Sequence, residues 1–395
     1  MPMTPTTSHL ALPFFDNVHR ELGARLAGWI PDQQIDESDD RRACREWVKL
    51  LGDHGWLRYC VPAGTDGALG GALGRLDSRA LVILRETLAF HSPLADFAFA
   101  MQGLGSGAIT LAGTPEQQAA YLPQVASGAK IAAFALSEAD AGSDAGAMTT
   151  RADPAPGGWT VKGSKTWISN GGIADFYVTF VKTDPAAGTR GITAFIIDAG
   201  TPGLDASEHI AVMSPHPLAT LRFTDCRLDG GAQLGALNGG FRLAMQTLDI
   251  FRASVAGAAL GMARRALLEA VRHAKSRTMF GQTLADFQLT QAKIGEMAAL
   301  VDAAALLTYR AAWLRDEGER RSQSVRVTAE AAMAKMTATE NAQRVIDMAL
   351  QMHGGLGVKV GTKVESLYRD IRALRIYEGA TEVQQLIIGK AVLQS

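Results

Sequence analysis

Three stretches after Gly240 leave little freedom in how the C-terminal part of this chain folds. Residues 241–275, 285–317 and 325–353 are Ala- and Leu-rich and repeat apolar residues at three- and four-residue spacings. Each is roughly 30 residues long, so about 45 Å at a rise of about 1.5 Å per residue. A shorter helical pattern covers 381–394. Long helices with short links predict an antiparallel four-helix bundle.

The pattern upstream is different. From 131 to 230, "GWTVKGSKTWISNG", "FYVTFVKT", "GITAFIID" and "LATLRFTDCRL" are short runs rich in Val, Thr, Ile and Phe, punctuated by Gly, Pro, Asn and Asp. They predict an antiparallel sheet domain, a small barrel or sandwich. Residues 16–128 again read as helical. "DDRRACREWVKLLGDHGW" and "LDSRALVILRETLAFH" carry helical spacing, and Thr114 before Pro115 has the order of an N-cap and first helical residue. The glycine-rich "PAGTDGALGGALG" between them lacks a GxGxxG and does not end in GK[ST], so it reads as a surface loop. The expected class is therefore α+β. The expected domains are an N-terminal helical domain (1–128), a middle β domain (129–240) and a C-terminal helical bundle (241–395).

A chain of 395 residues is long enough for two or three domains. Its 39 Lys+Arg against 40 Asp+Glu offer no basic surplus for nucleic acid. No run of 18 or more uninterrupted apolar residues reads as a membrane span, and the N-terminus has the pattern of neither a signal nor a transit peptide. Cys44, Cys60 and Cys226 are scattered and odd in number, as expected for reduced thiols in the cytoplasm. None of the eight histidines forms HExxH or joins a CxxC, and there is no GxSxG elbow or Walker loop. These readings disfavour a metal site, a serine hydrolase and a P-loop enzyme.

"FALSEADAGSDAGAM", Phe134 to Met148, is the first distinctive segment. Small residues let backbone approach a flat ligand, and Ser137 and Ser143 can donate hydrogen bonds; an ordinary strand and turn reads equally well. It is followed by "KTWISNGGIADFYV", "SRTMFGQTLADFQLTQAKIGEM" and "ALQMHGGLGVKVGTKVESLYRDIRALRIYEGATEVQQLIIGK". Together the four segments resemble the acyl-CoA dehydrogenase family, in order, from about residue 20 to the C-terminus.

The resemblance implies an FAD flavoprotein that removes hydrogens from the α and β carbons of an acyl-CoA, giving the trans-2-enoyl-CoA. It places Phe134, Leu136, Ser137 and Ser143 along the flavin, with Trp167, Ile168 and Ser169 on the ring's other side. Arg277, Phe280 and Gln288 match residues that reach a partner subunit's FAD, the arginine at its pyrophosphate. Gln351, Gly354 and Gly355 match the turn beside the adenosine half, and Thr381 and Glu382 follow as further cofactor contacts. Ser143, Asp249, Arg252 and Gly379 fall to the acyl-CoA. The family further implies electron-transfer flavoprotein as acceptor, a homotetramer, and a role in fatty acid or acyl-CoA catabolism.

Glu378, in "RIYEGATEVQQL", reads on its own as a helix-start carboxylate. By resemblance it is the base that takes the α proton while the β-hydrogen leaves as hydride to flavin N5. A minority of the family places the base on the helix that carries Asp249 and Arg252, but Phe251 stands there in this chain and cannot take a proton. Two departures stand out: Ala380 where the family usually has Thr, and "MSPHPLATLRF" before a strand. No arginine occupies Ala95–Asp96, where glutaryl-CoA-binding members carry one, although Arg85 is nearby in sequence. The rival readings are an acyl-CoA oxidase, a flavin monooxygenase or a thioester-processing lyase on the same fold, and a catalytically idle flavoprotein scaffold.

Overall fold

The computed structural model describes residues 7–321 and 327–394. In chain order the helices are α1 (Asn17–Trp29), α2 (Asp40–Asp53), α3 (Ser78–His91), α4 (Pro93–Ala112) and α5 (Pro115–Ala126). Eight strands follow: β1 (Ala132–Ala135), β2 (Arg151–Ala155), β3 (Gly158–Ser169), β4 (Phe176–Lys182), β5 (Ile192–Asp198), β6 (Leu204–His209), β7 (Leu218–Asp229) and β8 (Gln233–Leu234). Next come α6 (Gly240–Ser276), a hairpin of β9 (Thr278–Met279) and β10 (Gln282–Thr283), α7 (Gln288–Arg320), α8 (Thr328–Met352), α9 (Lys363–Leu374) and α10 (Thr381–Gln394). The chain divides into two compact units: 35–77 with 97–251, and 1–34 with 78–96 and 252–395.

The first unit is organised on the sheet, in the order β6-β7-β3-β2-β4-β5-β8, with β1 also paired to β4. The sheet is mostly antiparallel, as expected, but β1 and β2 both pair with β4 in parallel. Every residue of β4 is buried, which is why "FYVTFVK" reads as a near-continuous apolar run rather than an alternation. The β3–β7 ladder shifts register between Lys165 and Ile168. Trp167, inside that shift, takes a φ of 59° and is 56% exposed. A bulge re-aims a side chain in this way. In the same unit α5 starts on the expected cap: Thr114 and Gln117 exchange side-chain-to-backbone hydrogen bonds.

The second unit is helical. α8 packs against α7, α9 and α10, and α3 packs against α1 and α7. The start expected at 325 falls partly outside the described residues; α8 begins at Thr328. α9 is a fifth helix after residue 240, short and amphipathic, between two that the spacing predicts. α6 crosses α3 closely: a Cβ on Gly261 would lie 2.1 Å from the Glu86 carbonyl oxygen, so only glycine fits there. α7 is long and apolar enough to cross a membrane by length and composition alone. Its buried Met297, Val301, Ala304 and Ala305 give it the character of a core helix.

Candidate active site

Glu378 lies in the segment 375–380, between α9 and α10. Its φ is 53° and that of Gly379 is 96°. A non-glycine residue in this left-handed region costs roughly 1–3 kcal/mol and persists only where its surroundings hold it. Two buried side chains do so. Lys335 Nζ, from α8, donates to the Gly379 carbonyl at 2.8 Å. Gln384 Nε2, from α10, donates to the same oxygen at 2.9 Å and to the Glu378 carbonyl at 3.3 Å. Lys335 and Gln384 are each 0% exposed.

The Glu378 side chain points inward. The residue as a whole is half-buried, yet Oε2 is shut off from solvent and has no hydrogen-bond partner. Such an atom is costly unless something is to be bound there. Burial pushes the Glu378 carboxyl above its ordinary range, opposed by the charges of Arg85, Lys335 and Arg252 and assisted by Asp96. A carboxyl shifted upward in this way is a stronger base than an ordinary glutamate once it ionises.

Behind it lies a buried ion pair. Arg85 Nε and Nη2, from α3, donate to the two Asp96 carboxylate oxygens of α4 at 2.8 and 2.9 Å, and Nη1 donates to Ser254 Oγ at 3.1 Å. Both residues are 2% exposed. Burial raises the pKa of the neighbouring Tyr377 hydroxyl strongly, against the pull of the Arg85 charge. Arg375 Nε and Thr381 Oγ1 both donate to Glu340 Oε1, at 2.8 and 2.5 Å, tying the ends of α9 and α10 to α8. Thr381 and Glu382, both expected at the cofactor, lie at the start of α10, where the Thr381 hydroxyl donates to Glu340 and Glu382 is exposed. Nothing in the structure explains Ala380.

The residues expected along the flavin gather in the sheet unit. Phe134, on β1, pairs in register with Val178, and its ring packs tilted at 52° against that of Phe180, with centroids 4.9 Å apart. The Thr166 N–H donates to the Ser137 carbonyl at 3.0 Å, which sets Leu136 and Ser137 beside Trp167. Leu136 and Ile168 are buried, Ser169 is half-buried and Ser143 is exposed. Lys165 Nζ donates to the Leu136 carbonyl at 3.0 Å and to Glu138 Oε1 at 2.9 Å. Glu138 also accepts from the backbone N–H groups of Thr149 and Thr150. This charge and these hydrogen bonds hold the Glu138 carboxyl down to about 2, although burial alone would raise it, and burial brings Lys165 down to about 8.

In the helical unit, Phe280 and Gly281 both take positive φ, 51° and 81°, at the tip of the β9–β10 hairpin. Phe280 is 88% exposed and Arg277 and Gln288 are exposed beside it. Gln351, Gly354 and Gly355 are exposed at the end of α8, with open space where each glycine's Cβ would be. These residues fit FAD: an uncovered indole beside backbone and a hydroxyl suits a flat heterocycle, and an exposed arginine with open glycines suits an anionic nucleotide.

On α6, Asp249 is half-buried and Arg252 is buried. The Phe251 ring fills the space above Gly103 and Gly107, where ideal Cβ atoms would lie 2.7 and 3.0 Å from it. A hydrocarbon thus occupies the alternative base position. Sequence reasoning missed Asp96, Lys335, Gln384, Glu138 and Lys165, and gave Arg85 only a possible role at an acyl tail. The available signal was an ionisable residue inside an apolar helical run, as in "ALVILRETLAF" and "AAMAKMTA".

Family models match the chain in three consecutive parts: "Acyl-CoA dehydrogenase, N-terminal domain" over 22–129, "middle domain" over 133–226 and "C-terminal domain" over 238–393. A 3-(aryl)acrylate reductase of Clostridium sporogenes is 38% identical over 389 residues, 96% of this chain and 100% of that protein. Subunit CarC of the caffeyl-CoA reductase-Etf complex of Acetobacterium woodii is 39% identical over 330 residues, 83% of this chain and 85% of that protein. The structure of butyryl-CoA dehydrogenase from Megasphaera elsdenii superposes with a TM-score of 0.79 at 32% identity, covering 91% of this chain and 100% of that one. The chain therefore belongs to the acyl-CoA dehydrogenase family of FAD flavoproteins, oxidoreductases of the CH–CH group.

Proposed function

We propose that this protein interconverts an acyl-CoA and its trans-2-enoyl-CoA, with Glu378 as the group that exchanges the α proton. The observation that carries this reading is the buried Glu378 Oε2, which has no partner, on a rigid left-handed corner flanked by three cations. The α proton of a thioester is only weakly acidic, so its removal needs a carboxylate held against it and donors on the developing enolate oxygen. Glu378 takes the proton, and its own backbone N–H is the donor the corner presents to the thioester oxygen. Loss of the β-hydrogen with its bonding pair completes the double bond. Bound FAD supplies the two-electron redox chemistry.

The residues divided by unit in the preceding section take the roles the family resemblance gives them. Phe134, Leu136, Ser137, Ser143 and Trp167 to Ser169 hold the flavin; Arg277, Phe280 and Gln288 serve the FAD of a second copy; Gln351, Gly354 and Gly355 meet the adenosine half. Asp249, Arg252, Ser143 and Gly379 bind the acyl-CoA. A domain division at 128 and 240 goes with these roles. Exposed Leu386 (64%) and Leu393 (88%) on α10 support assembly with further copies; the family resemblance makes that assembly a homotetramer, and the three scattered thiols suit the cytoplasm. Arg85 is already bound to Asp96 and Ser254, which favours a monocarboxylic acyl-CoA over one with a terminal carboxylate at Arg85.

The names of two relatives, both reductases, support a second direction, reduction of the 2-enoyl group, and that of the caffeyl-CoA reductase-Etf subunit supports electron-transfer flavoprotein as the electron source. The same residues serve it, with Glu378 returning the α proton. Anaerobic mixing of the FAD-loaded protein with a panel of saturated acyl-CoAs tests the reading. Bleaching of the flavin by at least one monocarboxylic member, followed by slow reoxidation in air, is expected. Absence of bleaching across the panel would contradict acyl-CoA dehydrogenation, and rapid reaction with oxygen would make the protein an oxidase.

A further inference from the structure

Lys335 exchanges no proton with the substrate in the chemistry described so far, yet it is fully buried one hydrogen bond from the base corner. A buried lysine is rare without a partner that needs its charge. Here the ammonium is spent on a backbone carbonyl, that of Gly379, which follows a glutamate held at a φ of 53°. The same oxygen already accepts from Gln384. Two buried donors on one carbonyl exceed what satisfaction of that oxygen requires, and both grip the residue next to Glu378.

We propose that the Lys335 ammonium is a positioning group, clamping the Gly379 carbonyl so that the left-handed corner presents the Glu378 carboxylate and backbone N–H to the substrate. The proposal rests on Glu378 being the base. A charge-assisted hydrogen bond is about twice as strong as a neutral one, so the clamp needs the proton on Lys335. Burial and the neighbouring charges of Arg252 on α6 and Arg375 after α9 bring that lysine down to about 8, against the opposing pull of Glu378 and of Glu340 on α8. Of the other elements packed on α8, α7 engages Glu296 with Arg344 and Arg310 with Met333 Sδ, α9 engages Glu365 with Arg369, and α10 leaves Glu382 exposed.

The experiment uses the FAD-loaded protein and three variants, Lys335→Met, Lys335→Arg and Glu378→Gln. Lys335→Met is expected to lower kcat about 10- to 100-fold with KM changed less than about 3-fold, because a misplacement of about 1 Å costs that order in rate. Lys335→Arg keeps a charged donor and is expected to recover most of kcat. In the wild type kcat is expected to fall on the alkaline side through pH about 8; in Lys335→Arg that limb is expected to move up beyond the range of Lys. A Lys335→Met kcat within about 2-fold of wild type would overturn the proposal. So would an alkaline limb left in place in Lys335→Arg, which is readable even if the Met variant does not fold. Full activity in Glu378→Gln would instead remove the reading beneath it. Loss there with wild-type behaviour in both Lys335 variants would remove only the clamp.

Discussion

Glu378→Gln is expected to lower kcat by about 10³-fold, within the range that a positioned general base supplies. The amide keeps the shape of the side chain but cannot take the α proton. Phe251 stands at the alternative position on α6, and its hydrocarbon ring cannot take the proton. In the wild type kcat/KM should rise with pH through a value above 4.5, the ordinary glutamate value, because burial raises Glu378 and only its ionised form is a base. That limb should vanish in the variant. Stability should move the other way. A carboxyl whose pKa is raised on folding stabilises the fold fully below its unfolded pKa, and that contribution is lost as pH rises through its folded pKa. Glu378→Gln removes this loss and is expected to be at least as thermostable as wild type at pH 7, by calorimetry. A variant that loses activity by unfolding would contradict this.

Asp96→Ala is expected to be the most damaging change to stability near the site. It leaves Arg85 charged, 2% exposed and without its bidentate carboxylate. Breaking a buried pair in this way costs about 3–5 kcal/mol, which for a chain of this size is a fall in Tm of about 4–6 °C. Asp96→Asn, which keeps an acceptor for Arg85, should lose less. Asp96 also helps to hold Glu378 up, so in both variants the acid limb of kcat/KM should shift to lower pH. An unchanged Tm in Asp96→Ala would mean that the pair contributes nothing net, and an unshifted limb that it does not act on the base.

The long helices were legible because Ala- and Leu-rich periodicity sustained over some 30 residues has few other solutions. α9 was not separated from its surroundings: twelve residues of "KVESLYRDIRAL" are amphipathic, but short. β3, β4, β5 and β7 were legible as Val-, Thr-, Ile- and Phe-rich runs, whereas β2, β6 and β8, and the pairing of the strands, were not. β1 is the four residues "AAFA" and β2 carries a proline, and nothing local tells either that it will lie parallel to β4. At the site, Glu378 could be named from its motif. Its left-handed backbone could not, since that conformation is imposed by Lys335 and Gln384 from two other helices. The Arg85–Asp96 pair was likewise hidden, because their eleven-residue separation becomes contact only through the turn between α3 and α4.

The central claim, that Glu378 exchanges the proton α to the thioester, is tested most directly without turnover. 3,3-Dimethylbutyryl-CoA has α hydrogens but none on its β carbon, so it can be deprotonated but not dehydrogenated. Incubated in D₂O with the FAD-loaded protein and followed by mass spectrometry, it should gain deuterium at the α carbon with wild type and none above the solvent background with Glu378→Gln. Exchange at the wild-type rate in Glu378→Gln would contradict the account, because another group would then be moving the proton.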